Sequence, residues 1–378
     1  MYKNISFFKG LNELRFMAAL LVLFHHSETI RLKNNLFNFE WLSLFRNGTN
    51  AVNFFFVLSG FLITYLLLKE SKITNDIKVK KFYLKRVLRI WPLYFLLFFI
   101  GTVLLPFLFH IFSIPYEMPY SFSNVWAYFV FFLPGLVLFF YGHHFLEPLW
   151  SIGVEELFYL IWAPIFKFFR KHILSILLGV ILFKVLTLLV SYILLPENHI
   201  INYLLNTHSF ELMAIGGWGA YLVFNSNRPI KNWLIFQKKI QFIIYILLII
   251  FLIFNQNINI SLWNFFFKTP ILSTLIIGFM YLYSIIGISL NENSILKPHN
   301  KYISYLGEIS YGIYMYHMSS IFFVILILKD TLSKLSPLYS SLLFYILVIS
   351  LTILISSLSK KYFEDFFLIK LRNKLIKH

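Results

Sequence analysis

The chain has 378 residues, of which 59% are apolar and 13% are charged. Soluble domains have about 45–50% apolar and about 25% charged residues, so this composition excludes a soluble domain, a disordered chain and a coiled coil, and predicts an all-α polytopic membrane protein. The absence of cysteine excludes disulfides and thiolate sites, and the net charge of +17 is better explained by basic cytoplasmic loops than by a nucleic-acid partner.

Ten apolar segments are long enough to predict membrane-spanning helices, each of which needs about 20 residues. A shorter apolar segment at 125–140 contains Pro134-Gly135, and we predict that it is a re-entrant or interfacial part of a long outer loop. The chain is thus predicted to be one transmembrane domain, 1–378, with a membrane core at about 10–358, a tail at about 359–378 and no appended soluble domain. In chain order, the predicted spans lie near 14–30, 50–68, 90–112, 149–166, 173–195, 204–224, 240–255, 269–289, 304–328 and 338–358.

The distribution of Lys and Arg predicts the orientation in the membrane. If 125–140 does not cross, 26 of the 33 basic residues lie on the side of the N-terminus, six lie on the other side and Lys184 lies within a span. If the segment does cross, the two sides hold 14 and 18. Because basic loops stay in the cytoplasm, we predict ten spans with both termini cytoplasmic.

Ionisable residues in the first span are the first candidate functional groups. Such a side chain at the centre of a span costs about 2.5–3.5 kcal/mol, so it usually faces the bundle interior. Arg15 and His26 are 11 residues apart, which places them on one helical face about 16 Å apart, whereas His25 points about 80° away. The structural alternative is a snorkelling arginine with an interfacial histidine pair.

Charged pairs in later spans extend the set. Arg86 and Arg89, spaced i, i+3, share a helical face and can bind a phosphate with two guanidinium groups, although they could equally be flanking positive charges. Adjacent glutamates, Glu155 and Glu156, indicate a site that handles protons.

Three further polar residues in spans complete the candidates. His317 lies deep in the ninth span, and Lys184 and Glu211 have opposite charges that could pair. No third ligand is placed beside His25, His26 and His317, so we expect no metal site.

Four sequence blocks carry most of these residues: Leu11–His26, Val52–Phe61, Arg86–Tyr94 and Trp150–Tyr159, with a looser fifth block at Ile309–His317. Together, in this order, they resemble the acyltransferase 3 family of bacterial integral-membrane O-acyltransferases. One departure is Asn12-Glu13, where many members have Asp-Gly.

The resemblance implies a bundle of about ten helices in the bacterial inner membrane that transfers an acyl group, by default acetyl, from cytoplasmic acyl-CoA to a glycan hydroxyl. The acceptor would be a cell-surface or exported polysaccharide, including lipopolysaccharide, and it could be lipid-linked. Acyl-CoA would be a co-substrate, with no permanently bound cofactor, and the other partners would be membrane lipids. Some members carry a soluble esterase-like domain, which we do not expect here.

The resemblance also implies roles for individual residues. The family's catalytic histidine follows the first-span arginine by eleven positions, which selects His26, with His25 as the alternative. We expect Glu155 or Glu156 to orient and stabilise its imidazole. The expected substrate-binding residues are Arg15, Arg86, Arg89, Ser151, Tyr314 and His317, of which Ser151 or Tyr314 would stabilise an oxyanion.

Two other functions remain compatible with the sequence. Glutamate and histidine could form the relay of a proton-coupled transporter, although no internal repeat is visible and the arginine pair would have no role. A polymerase or ligase that acts on a lipid-linked glycan would need no CoA.

The predicted orientation can be measured with reporter fusions in intact cells. We expect a fluorescent protein fused after residue 378 to fluoresce, and alkaline phosphatase fused there to be inactive, because the last loops follow the basic side. Phosphatase fused after Arg46, in the first predicted outer loop, is the positive control. Phosphatase activity after residue 378 would mean an odd number of spans.

Overall fold

The computed structural model describes residues 2–114, 116–298 and 300–376, except for the side chains at 373 and 376. About 80% of the chain is helical, and these ranges contain no strand. The predicted all-α fold class is therefore confirmed. The final two residues of the predicted tail, 377 and 378, lie outside the described residues.

The first half of the chain alternates long helices with a pair of short ones. The helix α3 is followed without a break by a π-helical stretch, Ile100–Leu104, and by α4. In order, the helices are α1 (Leu11–Lys33), α2 (Gly48–Thr74), α3 (Val79–Phe99), α4 (Leu105–Ile111), α5 (Phe122–Val130), α6 (Pro134–Tyr141), α7 (Leu149–Phe169) and α8 (Ile173–Leu194).

The second half of the chain also combines long helices with short ones. The last long helix, α16, is followed by π-helical turns at Lys360–Glu364 and Phe366–Leu371. The helices are α9 (His199–Thr207), α10 (Phe210–Asn225), α11 (Lys238–Phe254), α12 (Ser261–Lys268), α13 (Pro270–Leu290), α14 (Lys301–Glu308), α15 (Ser310–Lys334), α16 (Pro337–Ser359) and α17 (Arg372–Ile376).

Every predicted span contains a helix, and the protein is a multi-pass helical membrane protein. One long stretch joins α7 and α8, which were predicted as separate spans, through a short 3-10 turn. The helices α10 and α11 have 16 and 17 residues, and α1 carries charged groups, so the count of ten stays a prediction. In the described chain, six helical stretches are long and apolar enough to cross a membrane: Gly48–Thr74, Val79–Ile111, Leu149–Leu194, Pro270–Leu290, Ser310–Lys334 and Pro337–Leu371.

The segment at 125–140 forms two short helices. The helices α5 and α6 have nine and eight residues, or about 14 and 12 Å, whereas the hydrocarbon core is about 30 Å thick. Between them Phe132 has a φ of 57°, and its ring packs 5.3 Å from Trp91 and 5.2 Å from Tyr94. Neither helix is long enough to cross by itself, which agrees with the predicted non-crossing segment.

The helix α2 packs most extensively against α10, and glycines permit the close approach. A Cβ atom at Gly60 would overlap the backbone of Met213, and one at Gly216 would overlap the backbone of Val57. Small residues allow such contacts between membrane helices, where lipid gives no hydrophobic force toward association. This contact fixes α2, which carries Ser59 into the candidate site described below.

Two polar pairs are buried between helices. At the end of α1, Arg31 donates to Glu28 at 2.8 Å and to Ser341 at 2.7 Å, and both charged side chains are fully buried. Arg31 follows the predicted first span, 14–30, but α1 continues to Lys33 and keeps Arg31 inside the bundle. Lys184 and Glu211 form the pair that their charges predicted, at 3.6 Å.

We expect Gly60→Ala and Gly216→Ala to lower the melting temperature of the detergent-solubilised protein, because the added methyl group forces α2 and α10 apart. Overpacking of this kind costs about 1–3 kcal/mol. Gly179→Ala on α8 is the matched control, since its Cβ would meet nothing within 4 Å and alanine favours a helix by up to about 1 kcal/mol. Equal melting temperatures for the three variants would contradict the close contact.

Candidate active site

The centre of the candidate site is a chain of hydrogen bonds between α1 and α15. Nδ1 of His26 lies 2.9 Å from Nε2 of His317, and Nδ1 of His317 lies 2.6 Å from the carbonyl oxygen of Tyr314. A carbonyl oxygen only accepts, so Nδ1 of His317 carries the hydrogen and its Nε2 accepts one from His26. In neutral His26, Nε2 therefore has a free lone pair that can take up a proton.

A carboxylate stands beside this free nitrogen. Oε1 of Glu147 lies 3.4 Å from Nε2 of His26, and Nδ1 of His143 lies 2.9 and 2.8 Å from the two carboxylate oxygens. Burial raises the pKa of the Glu147 carboxyl, but a hydrogen bond from His143, and one from His26 when it is protonated, outweigh it and lower this pKa below its ordinary value. Glu147 is therefore placed to stabilise a protonated His26.

His25 lies on a different face of α1, as the helical spacing predicted. Its Nδ1 is 3.3 Å from the carbonyl oxygen of Phe45, and its ring fills the space in front of Gly48. Among the described residues it makes no hydrogen bond to Glu147 or His317. The hydrogen-bonded cluster thus contains His26 and leaves His25 beside it.

The expected contact of Glu155 or Glu156 with the imidazole of His26 is wrong. Glu155 accepts hydrogen bonds from Ser59 at 2.9 Å and Tyr159 at 2.7 Å, and Glu156 accepts one from Trp91 at 2.8 Å. The physical reason is their depth along α7. Glu155 lies about 9 Å past the start of that helix, whereas Glu147 precedes it and reaches the histidines.

A cavity of about 330 Å³, here called the arginine cavity, runs between these helices. It brings together charged groups of α1, α3, α7 and α14 and hydroxyl groups of α2, α7 and α15. Its polar lining includes Arg15, Ser59, Arg86, Arg89, Ser151, Glu155, Tyr159, Glu308 and Tyr314.

The guanidinium groups of this cavity lack a carboxylate partner. Within the ranges that the structure describes, no carboxylate oxygen lies within 4.0 Å of Arg15, Arg86 or Arg89. Arg86 stacks over the rings of Phe82 and Tyr159, and its Nε has no hydrogen-bond partner there. The lining thus holds three arginines against two glutamates, Glu155 and Glu308, and an excess of positive charge in a confined space is typical of an anion-binding site.

Ser151 and Tyr314 meet in the same cavity, as a pair of hydroxyl groups 2.7 Å apart. Each also lies near the carbonyl oxygen of Pro148, at 3.3 and 3.2 Å. Because one hydroxyl hydrogen is used between them, the other can turn from this carbonyl to a bound ligand. Tyr314 links the cavity to the histidines. Its side chain lines the arginine cavity, and its carbonyl oxygen accepts a hydrogen bond from His317.

This arrangement of arginines, paired hydroxyls and a histidine occurs in a chain whose residues 8–360 match a family described as an acyltransferase domain. The chain belongs to the acyltransferase 3 family. The match confirms the family that the sequence blocks predict and, with it, the enzyme class of an acyltransferase domain.

Several relatives have informative names. A Staphylococcus aureus (strain COL) protein whose name describes an O-acetyltransferase is 28% identical, over 96% of this chain and 58% of that protein. The peptidoglycan O-acetyltransferase of Listeria monocytogenes is 25% identical, over 82% of this chain and 48% of its own length. A protein of the Acidianus two-tailed virus whose name describes an acetyltransferase is 29% identical, over 81% of each chain. The chain thus spans just over half the length of the staphylococcal relative, and no solved structure matches it significantly.

Sequence analysis of this acyltransferase domain missed Glu147. A signal was present, because His143 and Glu147 are spaced i, i+4 in a loop at 113–148 that contains no Lys or Arg. It also missed Ser59, which lies within the second family block and bonds Glu155. The predicted residues Arg15, Arg86, Arg89, Ser151 and Tyr314 do converge on one cavity.

Proposed function

We propose that the protein is a membrane O-acyltransferase that moves an acyl group, by default acetyl, from cytoplasmic acyl-CoA to a hydroxyl of a cell-surface or exported glycan. The observation that carries the proposal is the arginine cavity, which joins three guanidinium groups without a carboxylate partner to the Ser151–Tyr314 pair, and Tyr314 is linked through His317 to His26. The names of the relatives support O-acetyl transfer, and the Listeria name supports a glycan acceptor.

The size and charge of the cavity suit one part of an acyl-CoA. A volume of about 330 Å³ is at the lower end of small-molecule sites, which run from about 300 to 1,000 Å³. It accommodates the thin acyl-pantetheine arm, while the nucleotide stays outside. Arg86 and Arg89 then bind the phosphates with their guanidinium groups, and the thioester reaches Ser151 and Tyr314.

The reaction follows from the hydrogen-bond directions. Nε2 of His26 takes the proton of the acceptor hydroxyl as its oxygen attacks the thioester carbonyl carbon. A hydroxyl of Ser151 or Tyr314 donates to the oxyanion that forms, and Glu147 stabilises the imidazolium. The carbon–sulfur bond then breaks, and His26 returns the proton to the thiolate, which gives an ester and free CoA.

We place Glu155 and Glu156 among the residues that shape the donor site. Glu155 holds Tyr159 and Ser59, and Glu156 holds Trp91. Glu155 lines the same cavity as the arginines, and the negative charges of both glutamates act on Arg86, which limits repulsion between the guanidinium groups. In the proposed inner-membrane orientation, the donor enters from the cytoplasm and the glycan from the outside.

Replacement of His26 tests the proposed function directly. We expect His26→Ala to lower transfer of labelled acetyl groups from acetyl-CoA to membrane glycan by about 10²–10⁴-fold, the usual contribution of a general base. His25→Ala, one position away, is the matched control and should keep substantial activity. Immunoblots of membrane fractions check that both variants insert.

Two results would contradict the assignment. An active His26→Ala variant together with an inactive His25→Ala variant would move the base to the neighbouring histidine. If neither the parent protein nor any variant transfers acetyl groups, and acetyl-CoA stays intact, the proposed reaction is rejected.

The arginine pair should govern affinity for the donor. We expect Arg86→Ala and Arg89→Ala to raise KM for acetyl-CoA about tenfold or more while KM for the acceptor changes little, because a charged hydrogen bond contributes about 1.5–3 kcal/mol. Lysine should restore only part of the affinity, since its ammonium lacks the planar fork of arginine. Arg228→Ala, an exposed arginine outside the cavity, is the control. If the Arg86→Ala/Arg89→Ala double variant has an unchanged KM for acetyl-CoA, the two arginines do not bind the donor and only flank the span.

A further inference from the structure

A second cavity, here called the α4–α5 cavity, lies where the chain passes from α4 to α5. Its volume of about 810 Å³ is within the range of small-molecule and cofactor sites. Its lining comes entirely from residues 102–122 and shares none with the arginine cavity. The argument below uses Phe109, Tyr116, Glu117, Tyr120 and Ser121.

The walls of the α4–α5 cavity combine aromatic faces with oxygen atoms. Phe109 and Tyr116 stand edge to face with ring centroids 5.4 Å apart, and Glu117 and Ser121 offer hydrogen-bonding oxygens. Aromatic rings pack against the C–H faces of sugars, and carboxylate and hydroxyl oxygens accept from sugar hydroxyls. This lining suits a ligand with many hydroxyl groups.

The charge of the region disfavours an anionic ligand. Among the described residues no Lys or Arg lines the cavity, and none occurs anywhere in residues 113–148. Glu117 adds a negative charge to the wall, and His110 is the one lining side chain there that can become positively charged. A phosphate or a sugar acid would meet Glu117 without a permanently charged cation to balance it, so the lining favours an uncharged carbohydrate.

Two buried polar atoms beside the cavity await a partner. The Tyr120 hydroxyl and Nε2 of His144 are buried, and neither has a hydrogen-bond partner in the part of the chain that the structure describes. Nδ1 of His144 accepts from the Leu146 amide at 3.1 Å, so Nε2 carries the hydrogen. The two rings pack edge to face at 5.0 Å. Buried polar groups are almost always paired, and two such groups together indicate a site that a polar ligand completes.

The cavity also adjoins the residues that hold His26. His144 is next to His143, whose ring bonds Glu147, and Glu147 contacts His26. Contacts therefore lead from Tyr120 to His144, the chain neighbour of His143, and from His143 through Glu147 to the proposed base. The arginine cavity is linked to the same histidines through Tyr314.

We propose that the α4–α5 cavity binds the acceptor, and that the acceptor is an uncharged carbohydrate. The identity as acceptor rests on the proposed function, whereas carbohydrate binding does not. Tyr116 packs on the sugar ring, Glu117 and Ser121 accept from its hydroxyls, and the Tyr120–His144 pair binds the hydroxyl nearest to Glu147.

Binding can be measured without turnover in the His26→Ala protein reconstituted in nanodiscs. The probes are neutral tetrasaccharides of N-acetylglucosamine, glucose and galactose, with tetragalacturonate as the acidic counterpart, each titrated by calorimetry. We expect at least one neutral probe to bind and the acidic one to bind much more weakly. Tyr116→Ala should weaken the neutral complex about tenfold, and Tyr120→Phe about three- to tenfold, the effect of one hydrogen bond.

Tyr128→Ala and Tyr128→Phe are the matched controls, since Tyr128 lies in the same outer segment but does not line the cavity. Binding that is equal in the Tyr116, Tyr120 and Tyr128 variants, preferred binding of tetragalacturonate, or binding of no neutral probe would overturn the proposal.

Transfer assays separate this proposal from the proposed function. In an active parent protein, Tyr116→Ala should raise KM for the acceptor and leave KM for acetyl-CoA unchanged. An unchanged acceptor KM would overturn the cavity assignment while transfer itself stands. Tyrosine-dependent sugar binding in a protein that transfers nothing would support the carbohydrate site and reject the reaction.

Discussion

One hydrogen bond, between the imidazole rings of His26 and His317, connects residues 291 positions apart in the chain. The remaining parts of the candidate site depend on it. The Tyr314 carbonyl oxygen accepts from Nδ1 of His317, which leaves Nε2 of that ring to accept from Nδ1 of His26. Nε2 of His26 then faces Glu147. Buried between membrane helices, neither ring can replace this partner with water, so the orientation of α1 against α15 also decides the protonation pattern.

The site separates its charges along the bundle. Three arginines outnumber the two glutamates that line one cavity, while the carboxylate nearest to the histidines stands in a loop without any basic residue. The hydroxyls of Ser151 and Tyr314 lie in the arginine cavity, and Tyr314 also holds His317. In the proposed reaction, an anionic donor and an uncharged acceptor would be drawn to different places, with these hydroxyls at the acyl carbon that passes between them.

Much of this arrangement could be predicted from sequence, because helical periodicity is a local property. The shared face of Arg15 and His26, the different face of His25 and the pairing of Lys184 with Glu211 all follow from spacing or charge. The partner of His26 could not be derived in the same way. Glu147 lies in a loop, where no periodicity indicates a direction, and the neighbouring Glu155 and Glu156 are equally acidic. Only the depth of α7 in the bundle separates these carboxylates.

The burial of polar groups on α1 also constrains how the protein is made. During synthesis α1 emerges first, but His317 follows 291 residues later and Ser341 follows Arg31 by 310. At about 5–20 residues per second, the wait is about 15–60 s. Glu28 and Arg31, one turn apart, can pair with each other at once, which lowers the penalty for two charges in a lone helix. Among the described residues His26 has no such partner on α1, so its imidazole hydrogen bond forms only after α15 has been synthesised.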